Sequence, residues 1–213
     1  MYLKPVYEPP DLDSVHALID EVVLGTLVAV GPQGLTGAHL PFLIDPHRGR
    51  YGTLISHLAA ANPQAELITA GVGMMAIFLG PNAYVSASWF KQRDSAPTWA
   101  YAAAHCHGRP VAQDRQDSLR NITRLVDTLE EGRANRWHPR ELGPDGLSDR
   151  MPRIVCFELP IERVEARFQL GQEERPADIA AAADRLSQEG NHEVAELIRA
   201  HHRGGTRAGR PSL

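Results

Sequence analysis

Cysteine is scarce in this chain. Cys106 and Cys156 are the only two among 213 residues, too few for a disulfide framework and suited to a reducing cytoplasm. No apolar run approaches the ~18 residues of a membrane-spanning helix. The opening "MYLKPVYEPPDLDS" has no apolar core of signal-peptide length. The sequence therefore reads as a soluble, cytoplasmic protein without a membrane partner. Excess positive charge is missing too: the formal net charge is -4, which excludes general attraction to nucleic acid and leaves only a local basic patch. No Gly-rich phosphate loop of either common type is present, and no Ser-His-Asp pattern with a nucleophile elbow. A helix-turn-helix is not evident either. The one long helical pattern, Asp114 to Glu131, carries Asp114, Asp117, Asp127, Glu130 and Glu131. That acidity argues against direct DNA binding, unless the C-terminal tail performs it.

What the chain does have is core material, at 43% apolar residues, and many short strand patterns. A first helix is expected with Asp11 or Asp13 as its cap, Leu12, Val15, Ile19 and Val22 on one face, and Gly25 as its end. "GTLVAV", "LTGAHLPFLID" and "YGTLISHL" then alternate with Gly/Pro turns, the mark of antiparallel hairpins. A short helix is expected over Asn62 to Ile68. After it come "MMAIFLG", a turn at Pro81-Asn82, "AYVSASWF", and a strand emerging from "APTWAYAAAHCHGRPVA". Leu119, Ile122, Val126 and Leu129 mark the helix that Gly132 would stop. "RIVCFELPIERVEARFQL" returns to strand character, interrupted at Pro160. Helices follow around Ala177–Leu186 and His192–His201. Strands outnumber helices, and no linker separates two full domains. The expectation is a mainly β (α+β) single domain over 1–203, a closed or partly closed barrel with peripheral helices, and a disordered basic tail over 204–213.

Several residues carry candidate chemistry. His57 stands where an apolar run stops, just before Asn62-Pro63. It reads as an iron ligand, as a flavin or substrate contact, or as a hydrogen-bonding core histidine. His39 in "AHLPF" could face the same cavity, or be structural. His105 and His107 of "HCH" resemble a metal clip, but alternate strand positions without a third ligand are weak evidence for zinc. Cys106 would face the other way and, like Cys156, pack as a small hydrophobe. Trp89, Phe90, Trp99 and Tyr101 could wall a slot for a planar cofactor, or serve as core and subunit contacts. Lys91 and Arg93, in "KQRDSA", are the candidate catalytic cations. They could meet a cofactor's propionate or phosphate, lie simply in solvent, or join Asp94 in binding a zwitterionic amino acid.

"GTLVAV", "AHLPF", "SHLAAANPQ", "AIFLGPNAYVSASWF" and "APTWAYAAAHCHG" together resemble the PaiB family, labelled FMN-binding negative transcriptional regulators. The likeness runs in order from about Tyr2 to Arg109 and more weakly through "RFQLGQEE" to about His201. It implies an FMN-binding split β-barrel of the flavin-reductase and pyridoxamine-oxidase type, working as a homodimer with cofactor sites at the subunit interface. One branch of this family is similar to the piperazate synthases, haem-dependent enzymes that close a nitrogen–nitrogen bond in N5-hydroxy-L-ornithine with loss of water.

Three departures bear on that choice. Ala60 stands where the family's His-x-Ala-Arg-Ala-Asn-Pro pattern has arginine, a natural fork for a flavin phosphate. Ala100 replaces the amide of Pro-Thr-Trp-Asn-Tyr, and Lys-Leu-Ser-Gln-Asn becomes "QLGQE", Gln169 to Glu173. Each change loosens or alters a polar grip, which an apolar macrocycle tolerates better than FMN does. The expected cofactor is haem b with His57 as axial ligand, FMN being the alternative. The expected reaction is the N–N bond-forming cyclisation of an amino-acid substrate, the alternative an FMN-binding regulator or flavin reductase.

Overall fold

The computed structural model describes residues 1–204. The tail expected from 204 onward lies outside the described residues, apart from Gly204, which ends the last helix. In chain order the main elements are α1 (Leu12–Val22), β1 (Leu24–Gly31), β2 (Gly34–Asp45), β3 (Thr53–Ala59) and α2 (Gln64–Thr69). They continue with β4 (Met74–Val85), β5 (Thr98–Gly108), β6 (Val111–Ala112), α3 (Arg115–Glu130), β7 (Ile154–Gln169), α4 (Pro176–Gln188) and α5 (His192–Gly204). The strands form one sheet in the order β3-β2-β1-β4-β5-β7-β6, and β3 also pairs with β7. That last pairing joins the first strand of the order to the sixth, which closes the sheet on itself as a barrel requires.

The chain forms two compact units. One comprises Leu12–Phe78 and His105–Val164, the other Met1–Asp11, Leu79–Ala104 and the chain from Glu165 on. In the first unit, β1 pairs antiparallel with β2 from Leu24↔Pro41 to Gly31↔Gly34. It pairs on its other side with β4, from Thr26↔Ile77 to Ala29↔Met74. Gly25, Leu27 and Ala29 point inward while Thr26, Val28 and Val30 face out, the period-two pattern of a sheet with one buried face. Phe42 is the hub of the interior. Its ring meets Phe78 edge-on at 5.4 Å and Phe157 at 6.3 Å, and Leu27, Leu54 and Leu159 of the same unit are fully buried. Burying each such side chain contributes about 1.5–3 kcal/mol.

Three expectations about punctuation fail here. Gly25 does not end α1; the helix turns out at Val23, which adopts φ 53°, and Gly25 lies inside β1. A Cβ there would stand 2.8 Å from Phe78 and 3.0 Å from Phe42, so glycine is required by the close approach of two rings. Pro81-Asn82 is not a turn. β4 runs through it, and its burial alternation changes phase there: 74, 76, 78 and 80 are buried, then 83 and 85. That is the signature of one extra residue, a bulge, with the Asn82 side-chain amide donating to the Gly80 carbonyl at 3.1 Å. Pro160 does not interrupt β7 either. It occupies the last register position against β3, opposite Thr53, where a missing N–H costs the ladder little.

In the second unit α4 and α5 pack together, and Phe168 and Leu170 are buried. Ile179, Ala182, Leu186, Val194, Ala195 and Ile198 are all buried there. Among the described residues no helix is long and apolar enough to cross a membrane.

Candidate functional site

His57 lies on β3 opposite Cys156 of β7. On the same face, Ile55 forms a small apolar cluster with Leu43 and with Leu125 of α3. The histidine ring is half-buried, and burial pushes its pKa below the ordinary 6.5, so the imidazole is neutral at neutral pH. Its Nδ1 is buried without a hydrogen-bond partner among the described residues. His57 also lines a void of about 10 Å³, together with Ser56, Asn121, Ile122, Leu125 and Cys156, room for about one water. Ser118 of α3 hydrogen-bonds the Cys156 thiol, whose pKa burial nonetheless raises. A tetrapyrrole cannot enter a space of this size. The enclosed Nδ1 is therefore not open to a group of that size.

The other histidines are placed differently. His39 is exposed on β2, and its Nδ1 meets Thr26 Oγ1 of β1 at 2.9 Å, so its bond is to the β1–β2 ladder and not to His57. His105 and His107 occupy alternate positions of β5, both half-buried and both held below the usual histidine pKa, chiefly by desolvation. Cys106 between them points inward at 0% exposure, its thiol pushed up to about 12 by burial. Among the described residues no three His, Cys, Asp or Glu side chains converge to hold a metal ion.

The aromatic and cationic candidates belong to the second unit. Trp89 ends a short 3-10 turn, Ala87–Trp89, and is half-buried. Trp99 is half-exposed on β5. Its Nε1 donates to Asn82 Oδ1 at 3.1 Å, and its ring lies 6.1 Å from that of Tyr84 on β4, also exposed. Sequence reading missed Tyr84 and Asn82, because the bulge that turns them outward is invisible in a pattern read as a hairpin turn. Tyr101 pairs with the Arg167 guanidinium at 6.0 Å, and Arg167 also stacks on Tyr7 at 4.4 Å.

The loop after Phe90 is fastened at two points. The Lys91 backbone N–H donates to the buried Asp178 carboxylate at 2.7 Å. Arg175 grips Asp94 through two bonds of 2.7 and 2.6 Å, which hold the Asp94 carboxyl below its usual range. The side chains of Lys91 and Arg93 remain exposed. Asp94, expected as a partner for a substrate ammonium, is engaged instead with Arg175.

The departures from the family pattern have structural occupations. The Ala60 N–H donates to the backbone carbonyl of Arg153 at 2.8 Å. Ala100 is buried in β5 at 2% exposure. Gln169 accepts from Arg167 at 2.6 Å and donates to Thr98 at 3.0 Å. Glu173 binds Lys4 at 2.5 Å and accepts from the Tyr7 hydroxyl.

Comparison with known proteins places this geometry. The chain is 26% identical over 201 residues to the protease synthase and sporulation protein PAI 2 of Bacillus subtilis, covering 93% of this chain and 96% of that one. Among solved structures it is similar to the FAD and heme binding protein from Mycobacterium smegmatis, with TM-score 0.58, 17% identity and coverage of 81% and 78%. It is also similar to the flavocytochrome Anf3 from Azotobacter vinelandii, with TM-score 0.58, 12% identity and coverage of 75% and 68%. At these identities the structural likeness establishes the fold, a split β-barrel. Residues 1–163 match the family described as "Putative FMN-binding domain"; the chain belongs to that family, and within it to the PaiB-like proteins.

Proposed function

We propose that this chain is a haem-dependent enzyme that holds haem b through Nε2 of His57 and closes the N–N bond of N5-hydroxy-L-ornithine with loss of water. The observation that carries this reading is the state of His57: a neutral, half-buried imidazole with no hydrogen bond at Nδ1 among the described residues. Burial keeps the Nε2 lone pair available near pH 7, which an iron ligand needs. Nδ1 would then carry the proton and point into the small void beside Asn121, where one water can complete its hydrogen bonding. Iron held there would supply Lewis acidity toward the N-hydroxyl oxygen.

The remaining tasks fall to the chain. Lys91 and Arg93, the cations the sequence offers for a substrate carboxylate, sit on a loop that Asp178 and Arg175 fasten within the second unit. Because Asp94 is occupied, nothing on this loop holds the α-amine as an ammonium, and the amine must be neutral to attack. The amine loses one proton, the N–O bond breaks, and the hydroxyl leaves as water, so no external oxidant enters the balance. Val30 and Leu35, cross-strand partners that both face out, are exposed at 67% and 77%. They support a homodimeric assembly as part of the same reading.

FMN is the second reading, favoured by the exposed Tyr84–Trp99 pair as a stacking surface for a planar ring. The test is an absorption spectrum of the purified protein supplemented with hemin. A Soret band that His57→Ala abolishes, with formation of a product lighter by one water from N5-hydroxy-L-ornithine, is the expected result. An unchanged Soret band in His57→Ala removes the ligand, and tight FMN uptake with refusal of hemin removes the haem reading altogether.

A further inference from the structure

The helix α3 packs on β3, and helical spacing sets the face it turns inward. Ser118, Asn121, Ile122 and Leu125 recur at i, i+3, i+4 and i+7 of that face. Leu125 packs with Ile55 of β3 and with Leu43, and Ser118 hydrogen-bonds the Cys156 thiol of β7. Asn121 is different. It is half-buried on a seam otherwise suited to aliphatic side chains, where an amide needs a polar partner to offset its desolvation.

Asn121 borders the same void of about 10 Å³ as His57 and Cys156. A water in so small a space needs at least about two polar partners. Ser56 also lines it, but its hydroxyl is spent on the Pro41 carbonyl at 2.7 Å. The Cys156 sulfur is already engaged by Ser118. The two strong polar groups that remain are the Asn121 amide and Nδ1 of His57, which is enclosed without a hydrogen-bond partner among the described residues. His57 is paired directly with Cys156, so ring and thiol project from one side of the sheet, the side that Ser118 of α3 meets.

The proton of a neutral imidazole sits on one nitrogen, and the hydrogen bond made by the other decides which. A buried N–H without an acceptor is rarer than a buried lone pair without a donor. Left alone, His57 would therefore keep Nδ1 bare and carry its proton on Nε2. We infer that Asn121 is a positioning residue that reverses this choice: through one water in the void, its carbonyl fixes the His57 proton on Nδ1 and leaves the lone pair on Nε2. Nδ1–H donates to the water oxygen, and the water donates to Asn121 Oδ1. The tautomer needs no metal; its use in holding iron rests on the function proposed above, since a ligating imidazole donates from its other nitrogen.

The full-length protein, its histidines labelled with nitrogen-15 and no cofactor added, is read by NMR at neutral pH. The His57 signals are assigned by their loss in His57→Ala. The Nδ1–H form should exceed the Nε2–H form about tenfold, the worth of one hydrogen bond, and the Nδ1 proton should show a contact to water. Asn121→Leu fills the void with an apolar branch and should shift the proton to Nε2. Asn121→Val, smaller and equally apolar, should do the same and serves if the leucine variant does not fold. Asn121→Asp keeps an acceptor and should retain Nδ1–H. An Nε2–H form in the parent chain overturns the proposal, and so does an Nδ1–H form that persists in the folded apolar variants. A Soret band that His57→Ala abolishes, in a chain whose tautomer ignores Asn121, removes the positioning role alone. An Asn121-dependent Nδ1–H in a chain that refuses hemin removes the iron alone.

Discussion

Replacing Gly25 by alanine tests the interior of the barrel at its tightest point. The added Cβ would lie 2.8 Å from Phe78 Cε1, and 3.0 and 3.1 Å from Phe42 Cδ2 and Cε2. Neither ring can retreat freely. Phe78 is 0% and Phe42 1% exposed, and Phe42 is wedged edge-on between Phe78 and Phe157. Overpacking of this kind costs about 1–3 kcal/mol, while the loss of glycine's unfolded-state freedom returns about 0.4–1 kcal/mol. The net loss is up to about 2.6 kcal/mol and centres near ~1.3 kcal/mol, a fall in melting temperature of a few degrees at ~2–4 °C per kcal/mol for a chain of this size. Gly37→Ala is the control: it lies on the neighbouring strand, and its nearest atom would be the Leu27 carbonyl oxygen at 3.9 Å, so it should stay within about 0.5 kcal/mol of the parent. Urea unfolding with an unchanged slope, checked by calorimetry, measures both. If Gly25→Ala melts at or above the parent temperature, the rings do not enforce glycine and the packing argument is wrong.

Acid should weaken the fold in two separable windows. Burial holds His57, His105, His107 and His201 below the ordinary 6.5, so the unfolded chain takes up protons first. Stability is complete above about pH 6.5 and declines as the pH falls below it, by up to ~1.4 kcal/mol per pH unit for each group charged only when unfolded. Glu158, held low chiefly by its bonds to Arg48, adds a loss only below the carboxylate range. A urea midpoint that stays flat from pH 7 to pH 5 would contradict the histidine burial. Cys106 and Cys156 should resist iodoacetamide in the native protein, both thiols being buried with raised pKa values. Leu125→Ala, which loosens α3 over Cys156, should accelerate alkylation at Cys156 by tenfold or more and leave Cys106 protected; equal acceleration at both, read by mass spectrometry, would mean global unfolding instead.

Much of the barrel was legible because alternation is a local property. "GTLVAV" and "LTGAHLPFLID" became β1 and β2 within a residue of their expected bounds, and the 3.6-residue pattern after Asp114 became α3, capped by that aspartate. Glycine and proline misled wherever their meaning depended on distant partners. Gly25 answers to Phe42 and Phe78, and Pro160 to the end of a ladder with β3. Pro81 answers to a bulge inside a strand. The candidate site suffered from the same limit. Asp94 looked available until Arg175, distant in sequence, claimed it, and Trp99 gained Tyr84 as its companion only through the phase change in β4.

Among the side chains of the barrel unit that bury a polar atom without a hydrogen-bond partner among the described residues are His16, Gln64 and His57. Two of them hold a structural bond with their other polar atom. His16 Nε2 meets the Tyr51 carbonyl at 3.0 Å, and Gln64 donates to the Leu27 carbonyl at 3.2 Å. Both are under 9% exposed, at 7% and 0%, and so read as core residues. His57 has no such bond to justify an imidazole and is the one of the three whose ring is partly open. An unmet buried nitrogen costs about 1–3 kcal/mol, which an apolar side chain facing Ile55 and Leu125 would avoid. That cost, at a neutral imidazole with one nitrogen enclosed, is the physical ground for the ligand role proposed for His57.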